Sequence, residues 1–312
     1  MKIITSLENI DFQSNPTGIA LGNFDGIHMG HKTLIIKLVE ICKQHNIPSV
    51  IYTFRNHPKS LTSNNRGPLK IVSDKQKLQL LRELGIDYTI FIEFDENQRR
   101  LAPEQFIKEI LVNRLNMQYA VVGYDYRFGH KAKGDIHLLE DLKDQYGYQL
   151  QVIQPVAIEN EIISSTVIRQ LIQAGEISKA NLYLGKPFSI TGTVVRGKGR
   201  GGKQLGFPTA NIETDAPFVL PSPGVYYTKT VLDQRIYNSA TNVGYNPTFG
   251  DNPISIETHL IDFDDTIYGK KIEVSFLYRA RKEIKFSSKE ELIVQMSMDL
   301  KRTRVYFGEE IL

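Results

Sequence analysis

Glycines, an aspartate and two histidines lie together in residues 22–31, which read GNFDGIHMGH. The segment follows an apolar, strand-like run at 18–21 and precedes an amphipathic stretch at 32–40. A strand, a glycine-rich turn and a helix start form an anion site, because backbone N–H groups meet the positive end of the helix dipole there. His28 and His31 are three residues apart and therefore lie on one side of that helix start, where both rings can donate to phosphate oxygens. The phosphate-binding residues predicted for this turn are Gly22, Asn23, Phe24, Asp25 and Gly30.

Zinc is a second ligand that a pair of histidines at helical spacing can bind. A structural zinc site generally takes four Cys, His or carboxylate ligands, and Cys42 is the only thiol of the chain. The plainest alternative to a phosphate site is that a histidine merely caps the helix beside an ordinary turn. The glycines, Phe24, Asp25 and both histidines in one register favour the phosphate site.

The bulk composition narrows the class of protein. A chain of 312 residues predicts two domains, and 41% hydrophobic with 23% charged residues is ordinary for a globular protein. A net charge of +3 without a basic run does not indicate nucleic-acid binding. One cysteine suits a reducing compartment, and no apolar run reaches the roughly 18 residues of a membrane span. We therefore expect a soluble, cytoplasmic protein that contacts neither nucleic acid nor membrane.

The first half of the chain alternates strand-like and helical patterns. The predicted strands are 19–21, 49–54, 88–92, 119–123 and 150–154, and Pro103 opens one of the predicted helices. This alternation favours a doubly wound, Rossmann-like parallel α/β sheet that binds ligands at the carboxyl ends of its strands.

A different pattern begins after Pro187. Short β-type runs at 188–195, 225–232, 236–243, 254–261 and 272–279 predict a small antiparallel barrel, and a helix is predicted after Ser287. We therefore predict an α/β domain at 1–183 and an all-β domain with a terminal helix at 184–312.

Further polar segments follow predicted strands of the first half. They are TFRNHP with His57, the loop GYDYRFGHKAKGD at 123–135, and ISSTVIR at 163–169. The loop mixes aromatic and charged residues, which suits a mobile segment that stacks on a ring and neutralises phosphate. Hydroxyls and a guanidinium one helical turn apart would form a second phosphate clamp. The residues concerned are Asp125, Arg127, Phe128, Ser164, Ser165, Thr166 and Arg169. Taken one by one, these are also an ordinary strand end, core-covering loop and helix cap.

The first motif resembles the G-x-F-D-x-x-H-x-G-H signature of the nucleotidyltransferase superfamily. Together, the four segments resemble the FMN adenylyltransferase half of the bacterial bifunctional riboflavin kinase/FAD synthetases. That resemblance implies that a phosphate oxygen of FMN attacks the α-phosphorus of ATP, while His28, His31 and Arg169 offset developing charge. It also implies that His57, Asp125, Arg127 and Phe128 contact the flavin substrate. The family usually reads T-F-x-P-H-P, and Asn56 replaces its first proline here, which puts the rigidity of the loop in question.

A glycine-rich stretch at 197–204, GKGRGGKQ, satisfies G-x-G-x-x-G and nearly satisfies a Walker A loop. Gln204 follows the lysine where a P-loop needs Ser or Thr, and Pro208 is uncomfortable at a helix start. Both motif names are therefore rejected, and a phosphate-binding flap containing Gly197 and Lys203 is predicted instead. Riboflavin kinases often carry Arg where Lys203 stands.

The next residues, LGFPTANI, resemble the G-x-P-T-A-N signature of riboflavin kinases. Thr209 and Asn211 are two apart and face the same way on an extended chain, where their oxygens could hold Mg²⁺ together with ATP phosphates. The resemblance, which covers about 186–305, implies that Glu257 is the general base for the 5′-hydroxyl of riboflavin. Without the neighbouring motifs, Glu257 would be interpreted as a solvated strand residue.

The sequence thus predicts a two-step enzyme that uses Mg²⁺ and ATP, converts riboflavin to FMN in the barrel, and converts FMN to FAD in the α/β domain. Three alternatives remain open at this point: one domain alone is active, the chain is a flavin-binding regulator without turnover, or it transfers a nucleotide to another phosphorylated acceptor. A weak or transient homo-oligomer is also left open.

Overall fold

The structure is a computed structural model that describes residues 1–8, 10, 12, 15–61, 67–197, 207–245 and 254–309. The chain forms two compact units. The first consists of Met1–Pro68 and Asp74–Ser164, and the second of Leu69–Ser73 and Ser165–Leu312.

A parallel sheet is the centre of the first unit. In its described residues the strand order is β1-β4-β3-β2-β5-β6. The strands are β1 (Lys2–Ile4), β2 (Thr17–Leu21), β3 (Ser49–Phe54), β4 (Tyr88–Ile92), β5 (Met117–Gly123) and β6 (Gln149–Ile153). The predicted parallel α/β architecture is confirmed, and the bounds predicted for β3 and β4 are those observed. The three-residue β1 was not predicted.

Helices cover both faces of this sheet, because successive strand residues point to opposite sides. In β2, Ile19 belongs to one apolar cluster and Ala20 to the other. Leu38 and Leu81 pack against the face of Ala20, while Ile107 and Leu139 pack against the opposite face. The helices are α1 (Met29–His45), α2 (Asp74–Glu83), α3 (Glu96–Arg100), α4 (Pro103–Gln105) and α5 (Ile136–Tyr146), and a two-stranded ribbon of β7 (Ala157–Ile158) and β8 (Glu161–Ile162) follows β6.

The helix predicted from Pro103 is α-helical only at its start. It continues as a π-helix over Phe106–Val112, and the backbone N–H groups of Asn113 and Leu115 each bond five residues back. Apolar residues at 106, 107, 110 and 111 remain buried in this wider winding. Their spacing fits both kinds of helix, so the apolar pattern alone does not distinguish them.

The second unit begins with α6 (Ser165–Ala174) and α7 (Ile177–Leu184) and continues into a closed antiparallel barrel. The described barrel strands are β9 (Phe188–Val195), β10 (Ala210–Thr214), β11 (Gly224–Leu232), β12 (Arg235–Tyr245), β13 (Ile254–Leu260) and β14 (Lys271–Lys282), paired in the order β10-β13-β12-β11-β14-β9. The helix α8 (Lys289–Tyr306) follows. The predicted barrel with a terminal helix is confirmed, whereas β10 was expected only as an extended segment.

Hydroxyl side chains line part of the barrel interior. The Oγ1 atom of Thr241 lies 2.8 Å from the Oγ1 atoms of both Thr228 and Thr258, and Ser239 continues the chain of hydrogen bonds from Thr228 to Thr230, also at 2.8 Å. All five residues are fully buried. Each hydroxyl therefore finds in a neighbouring strand the partner that burial requires.

Helix α8 is attached to the barrel by a buried ion pair and by aromatic packing. The Ser288 hydroxyl caps its first turn, and the Arg281 guanidinium donates to the Asp299 carboxylate at 2.7–3.0 Å. The rings of Tyr227 and Tyr306 pack with their centroids 4.5 Å apart. The ion pair and the ring contact thus hold the helix against the barrel surface, while the Ser288 cap stabilises its first turn.

Candidate active sites

The first candidate site lies at the point where the strand order of the sheet reverses. Strand β2 lies between β3 and β5, so the chain leaves β2 toward one edge and later returns on its other side. Ligands of open α/β sheets bind at such a point, beyond the carboxyl ends of the strands. Residues 22–31, 55–58 and 124–135 directly follow these three neighbouring strands.

The turn after β2 has a backbone that its residue types disfavour. Phe24 and Ile27 have φ angles of +48° and +43°, and Gly26 has +86°. A left-handed conformation is costly for a bulky or β-branched residue and persists only where its surroundings enforce it. Phe24 and Ile27 are 1% and 0% exposed, so core packing enforces it here. Strain of this kind is concentrated at functional sites.

The two histidines stack on each other at the start of α1. Their ring centroids are 3.7 Å apart at an interplanar angle of 19°, and the edge of the Phe24 ring lies against His31. His28 is the N-cap residue, and its Nδ1 accepts the backbone N–H of His31 at 3.3 Å. A side chain on Gly30 would come within 3.3 Å of the His28 ring. The backbone N–H of His31 is therefore already bonded within the motif.

His31 is held in its neutral form. Burial, the neighbouring His28 and the charge of Lys77, in that order of importance, lower the pKa of His31 well below its ordinary value of 6.5. Its Nδ1 atom is buried, and no described residue offers it a hydrogen bond. Buried polar atoms without partners are uncommon in native structures, and a bound oxyanion would give this one a partner.

His57 lies next to the first motif, as its position after β3 predicted. The Asn23 side-chain amide lies 3.3 Å from Nε2 of His57, and the Thr53 hydroxyl donates to the Asn23 carbonyl at 3.1 Å. Nδ1 of His57 accepts the backbone N–H of Lys59 at 3.1 Å. The structure thus brings Asn23 and His57 together with Gly22, Phe24, Gly30 and the histidine pair, and Asp25 belongs to the same partly buried turn.

Asn56 fixes the loop whose rigidity was in question. Its Oδ1 accepts the Phe94 N–H at 2.7 Å, and its Nδ2 donates to the Phe94 carbonyl at 3.0 Å. A side-chain amide that pairs with both backbone groups of one residue imitates a step of a β-ladder. Asn56 therefore restrains the loop by hydrogen bonds, where proline would restrain it through its ring.

The loop after β5 is closed by its own backbone. Phe128 and Gly134 exchange hydrogen bonds of 3.0 and 2.9 Å, and a side chain on Gly134 would come within 2.7 Å of the Phe128 ring. That ring is buried in the core, beside Phe106, whereas Tyr124 is 40% exposed. The expected stacking of Phe128 on a ligand is not supported by this placement and stays a prediction.

Charged residues of this loop have two different placements. The Arg127 guanidinium donates to the Asp135 carboxylate at 2.9 Å, and Asp135 in turn caps α5. Asp125 is exposed. A phosphate-binding role for Arg127 would require it to leave or share this carboxylate.

The predicted hydroxyl and guanidinium clamp spans the point in the sequence where the first unit ends and the main segment of the second begins. Ser164 ends the first unit, while Ser165, Thr166 and Arg169 lie on α6 of the second. Nε of Arg169 donates to the carbonyl of Leu69 at 2.7 Å. A joint role with the histidine pair stays a prediction.

The second candidate site lies on adjacent barrel strands. Asn211 of β10 is paired with Glu257 of β13, and the Thr209 hydroxyl hydrogen-bonds the Glu257 carboxylate. Burial raises the pKa of Glu257 above its ordinary value of 4.5, and the hydrogen bond from Thr209 opposes part of that rise. A carboxylate of raised pKa beside neutral oxygen donors is suited to proton abstraction.

Two neighbours fix the geometry of this site. A side chain on Gly197 would come within 2.4 Å of the Asn211 side-chain amide, which would have to shift to admit it. The His259 ring bonds the Pro208 carbonyl through Nδ1 at 2.7 Å and so holds the residue that precedes Thr209. Lys203 and most of the glycine-rich flap lie outside the described residues.

Comparisons with known proteins match both halves of the chain. Residues 11–167 match the family model described as FAD synthetase, and residues 184–307 match the model described as riboflavin kinase. The chain belongs to the bifunctional riboflavin kinase/FMN adenylyltransferase family. Relatives of that name are 34% identical in Buchnera aphidicola, over 99% of both chains, and 33% identical in Escherichia coli, over 99% of this chain and 98% of the relative. A third, from Bacillus subtilis, is 33% identical over 93% and 92%.

Among the solved structures that match is one that covers nearly the whole chain. It is described as a macrolide-efflux protein from Streptococcus pneumoniae, has a TM-score of 0.87 and 31% identity, and the match covers 97% of this chain and 98% of that one. Among the described residues of this chain, no helix is both long enough and apolar enough to cross a membrane.

Sequence reasoning missed Lys77, and it noted Asn56 only as a departure from the family pattern, without its hydrogen bonds to Phe94. Lys77 lies four residues before Leu81 and seven before Leu84, so helical spacing placed it on the apolar face of α2. A lysine on a core face is unusual, and that signal was available from the sequence. The pairing of Asn56 with Phe94 left no comparable signal, because it depends on how β3 and β4 align.

Proposed function

We propose that this protein makes FAD in two steps, phosphorylating riboflavin to FMN and then adenylylating FMN. The observation that carries the proposal is that each unit has its own assembled site: the stacked His28–His31 pair in one and the Thr209–Asn211–Glu257 group in the other. We assign adenylyl transfer to residues 1–183 and the kinase reaction to residues 184–312. A regulator that only binds flavin would not need a carboxylate poised as a base.

In the adenylyl transfer, a phosphate oxygen of FMN forms a bond to the α-phosphorus of ATP, and the bond from that phosphorus to the pyrophosphate oxygen breaks. The charge that develops on the phosphates needs fixed donors. The ring of His31, the start of α1 and the Gly22–Gly30 turn would supply them. Ser164, Ser165, Thr166 and Arg169 would add a second clamp, and His57, Asp125 and Arg127 would contact the flavin substrate.

In the kinase reaction, the 5′-hydroxyl oxygen of riboflavin attacks the γ-phosphorus of ATP, and ADP leaves. Glu257 would take the proton of that hydroxyl. Its raised pKa makes it a better base than an ordinary glutamate. Gly197 and Lys203 would belong to the flap over the phosphates.

The donor set around Glu257 fits Mg²⁺. Among the described residues no group of three or more His, Cys, Asp or Glu could form a metal cage, whereas the Thr209 hydroxyl and the Asn211 amide provide neutral oxygens next to one carboxylate. Mg²⁺ is often held by few protein oxygens and by substrate phosphates. Thr209 and Asn211 would hold the ion, which would neutralise phosphate charge.

The single cysteine of the chain bears on the cellular compartment in which the protein acts. Cys42 is buried, and burial raises the pKa of its thiol to about 12, so it is an inert core residue. A protein that uses ATP and has no disulfide to form fits the cytoplasm, and cell fractionation tests that assignment.

Two single variants of the full chain test the division of labour. Glu257→Gln is expected to lose riboflavin phosphorylation by about 100-fold or more while still adenylylating supplied FMN. His31→Gln is expected to do the reverse. The proposal fails if either variant loses both activities while remaining folded, or if neither activity changes.

A further inference from the structure

Lys77 is a buried cation at the edge of the adenylyl-transfer site. It lies on α2 and is only 6% exposed. Its Nζ donates to the backbone carbonyl of Asn23 at 2.8 Å and lies 5.7 Å from the centre of the Phe91 ring. Burying an ammonium group is costly unless it is paired, so its partners are an essential part of its placement.

The Asn23 carbonyl is where three segments of the chain meet. It accepts hydrogen bonds from Lys77 of α2 and from the hydroxyl of Thr53 at the end of β3. The Asn23 side chain contacts His57 at 3.3 Å. The next residue is Phe24, which has a left-handed backbone and touches the His31 ring. A force on the Asn23 carbonyl is therefore transmitted directly to the strained turn.

We propose that Lys77 is a positioning residue for adenylyl transfer: its ammonium holds the Asn23 carbonyl and thereby keeps the 22–28 turn, Phe24 and the His31 ring in their working geometry. This inference rests on the proposed function of the first unit. Lys77 does not need to touch the substrate for this role, because it acts through Asn23. The charge of Lys77 also lowers the pKa of the His31 ring. The His31 pKa can therefore be measured as a second test of this role.

The test compares Lys77→Met, Lys77→Arg and Lys75→Met in the full chain. Lys75 is an exposed lysine two residues away on the same helix and is the matched control. FAD formed from FMN and ATP measures adenylyl transfer, and FMN formed from riboflavin serves as an internal control for folding. The pKa of His31 is followed by NMR of labelled histidine, assigned with His31→Gln.

For Lys77→Met we expect kcat of adenylyl transfer to fall roughly tenfold to hundredfold, because small displacements of a site are costly. Riboflavin phosphorylation should stay within about twofold, the His31 pKa should rise, and Lys77→Arg should recover part of the rate. Lys75→Met should behave as wild type in each measurement.

Three results would overturn the inference: unchanged adenylyl transfer in Lys77→Met, an equal loss in Lys75→Met, or a loss with the His31 pKa unchanged. If the wild-type protein forms no FAD from FMN, the proposed function fails. The His31 titration still decides in that case whether Lys77 controls the turn.

Discussion

The imidazole of His28 lies flat against that of His31, with ring centroids 3.7 Å apart, and accepts the backbone N–H of the same residue. One residue thus caps the helix and also serves as a platform for the other ring. Two stacked imidazoles cannot both carry charge without strong repulsion, so protonation of one suppresses protonation of the other. If the pair binds phosphate as proposed, it does so with polar ring N–H groups and not with two fixed cations.

His31 should remain neutral far below its ordinary pKa of 6.5. Because the unfolded chain then binds the proton more readily than the folded one, the stability that this group contributes is complete above pH 6.5 and is lost as pH falls. We expect His31→Gln to weaken the pH dependence of unfolding between about pH 6.5 and 5. Urea titrations at several pH values measure this, and an unchanged slope with pH would contradict the account.

Glu257 should affect the free energy of unfolding with the opposite pH dependence to that of His31. Its raised pKa means that the folded protein favours the protonated acid, so the stability linked to this group declines as pH rises above 4.5. Glu257→Gln, which is always neutral, is therefore expected to raise the melting temperature at pH 7–8 even as it removes kinase activity. The gain should vanish near pH 4, and a variant that is less stable than wild type at pH 8 would refute this reasoning.

Asn56→Ala removes both hydrogen bonds to the backbone of Phe94. We expect a loss of about 1–2 kcal/mol in the free energy of unfolding of the first unit. A higher KM of adenylyl transfer should accompany it, because the neighbouring His57 loses its support. Riboflavin phosphorylation is the control and should not change. If Asn56→Ala reduced both activities equally, the hydrogen bonds from Asn56 to Phe94 would not act specifically on the adenylyl-transfer site.

Thr241 connects two other hydroxyls inside the barrel. Thr241→Val keeps the shape but leaves those partners with fewer hydrogen bonds, which should cost about 1–3 kcal/mol of unfolding free energy. Thr241→Ser keeps the hydroxyl and should cost less. Denaturant unfolding of the two variants checks the order, and a valine variant as stable as wild type would show that the hydroxyl chain contributes nothing.

The architecture was predictable where the signal is local. Buried apolar runs bounded by turn residues gave the bounds of β3, β4 and β9, and the change of periodicity after Pro187 revealed the barrel. The same logic located the first motif after a recognisable strand, whereas Glu257 was predicted only through the resemblance to riboflavin kinases.

What the sequence did not reveal depends on partners distant in the chain. Asn56 finds its partner across two strands, Lys77 contacts a carbonyl 54 residues away, and the barrel hydroxyls pair only once the register of β11, β12 and β13 is set. The π-helix after Pro103 is a choice between two windings that the apolar spacing allows equally. Such features follow from tertiary alignment, which local patterns do not specify.

The most direct measurement is a time course of riboflavin, FMN and FAD, separated by chromatography, after the full-length protein is mixed with riboflavin, ATP and Mg²⁺. We expect FMN to appear first and FAD to accumulate from it. If neither riboflavin nor separately supplied FMN yields any product, the two-step account is contradicted.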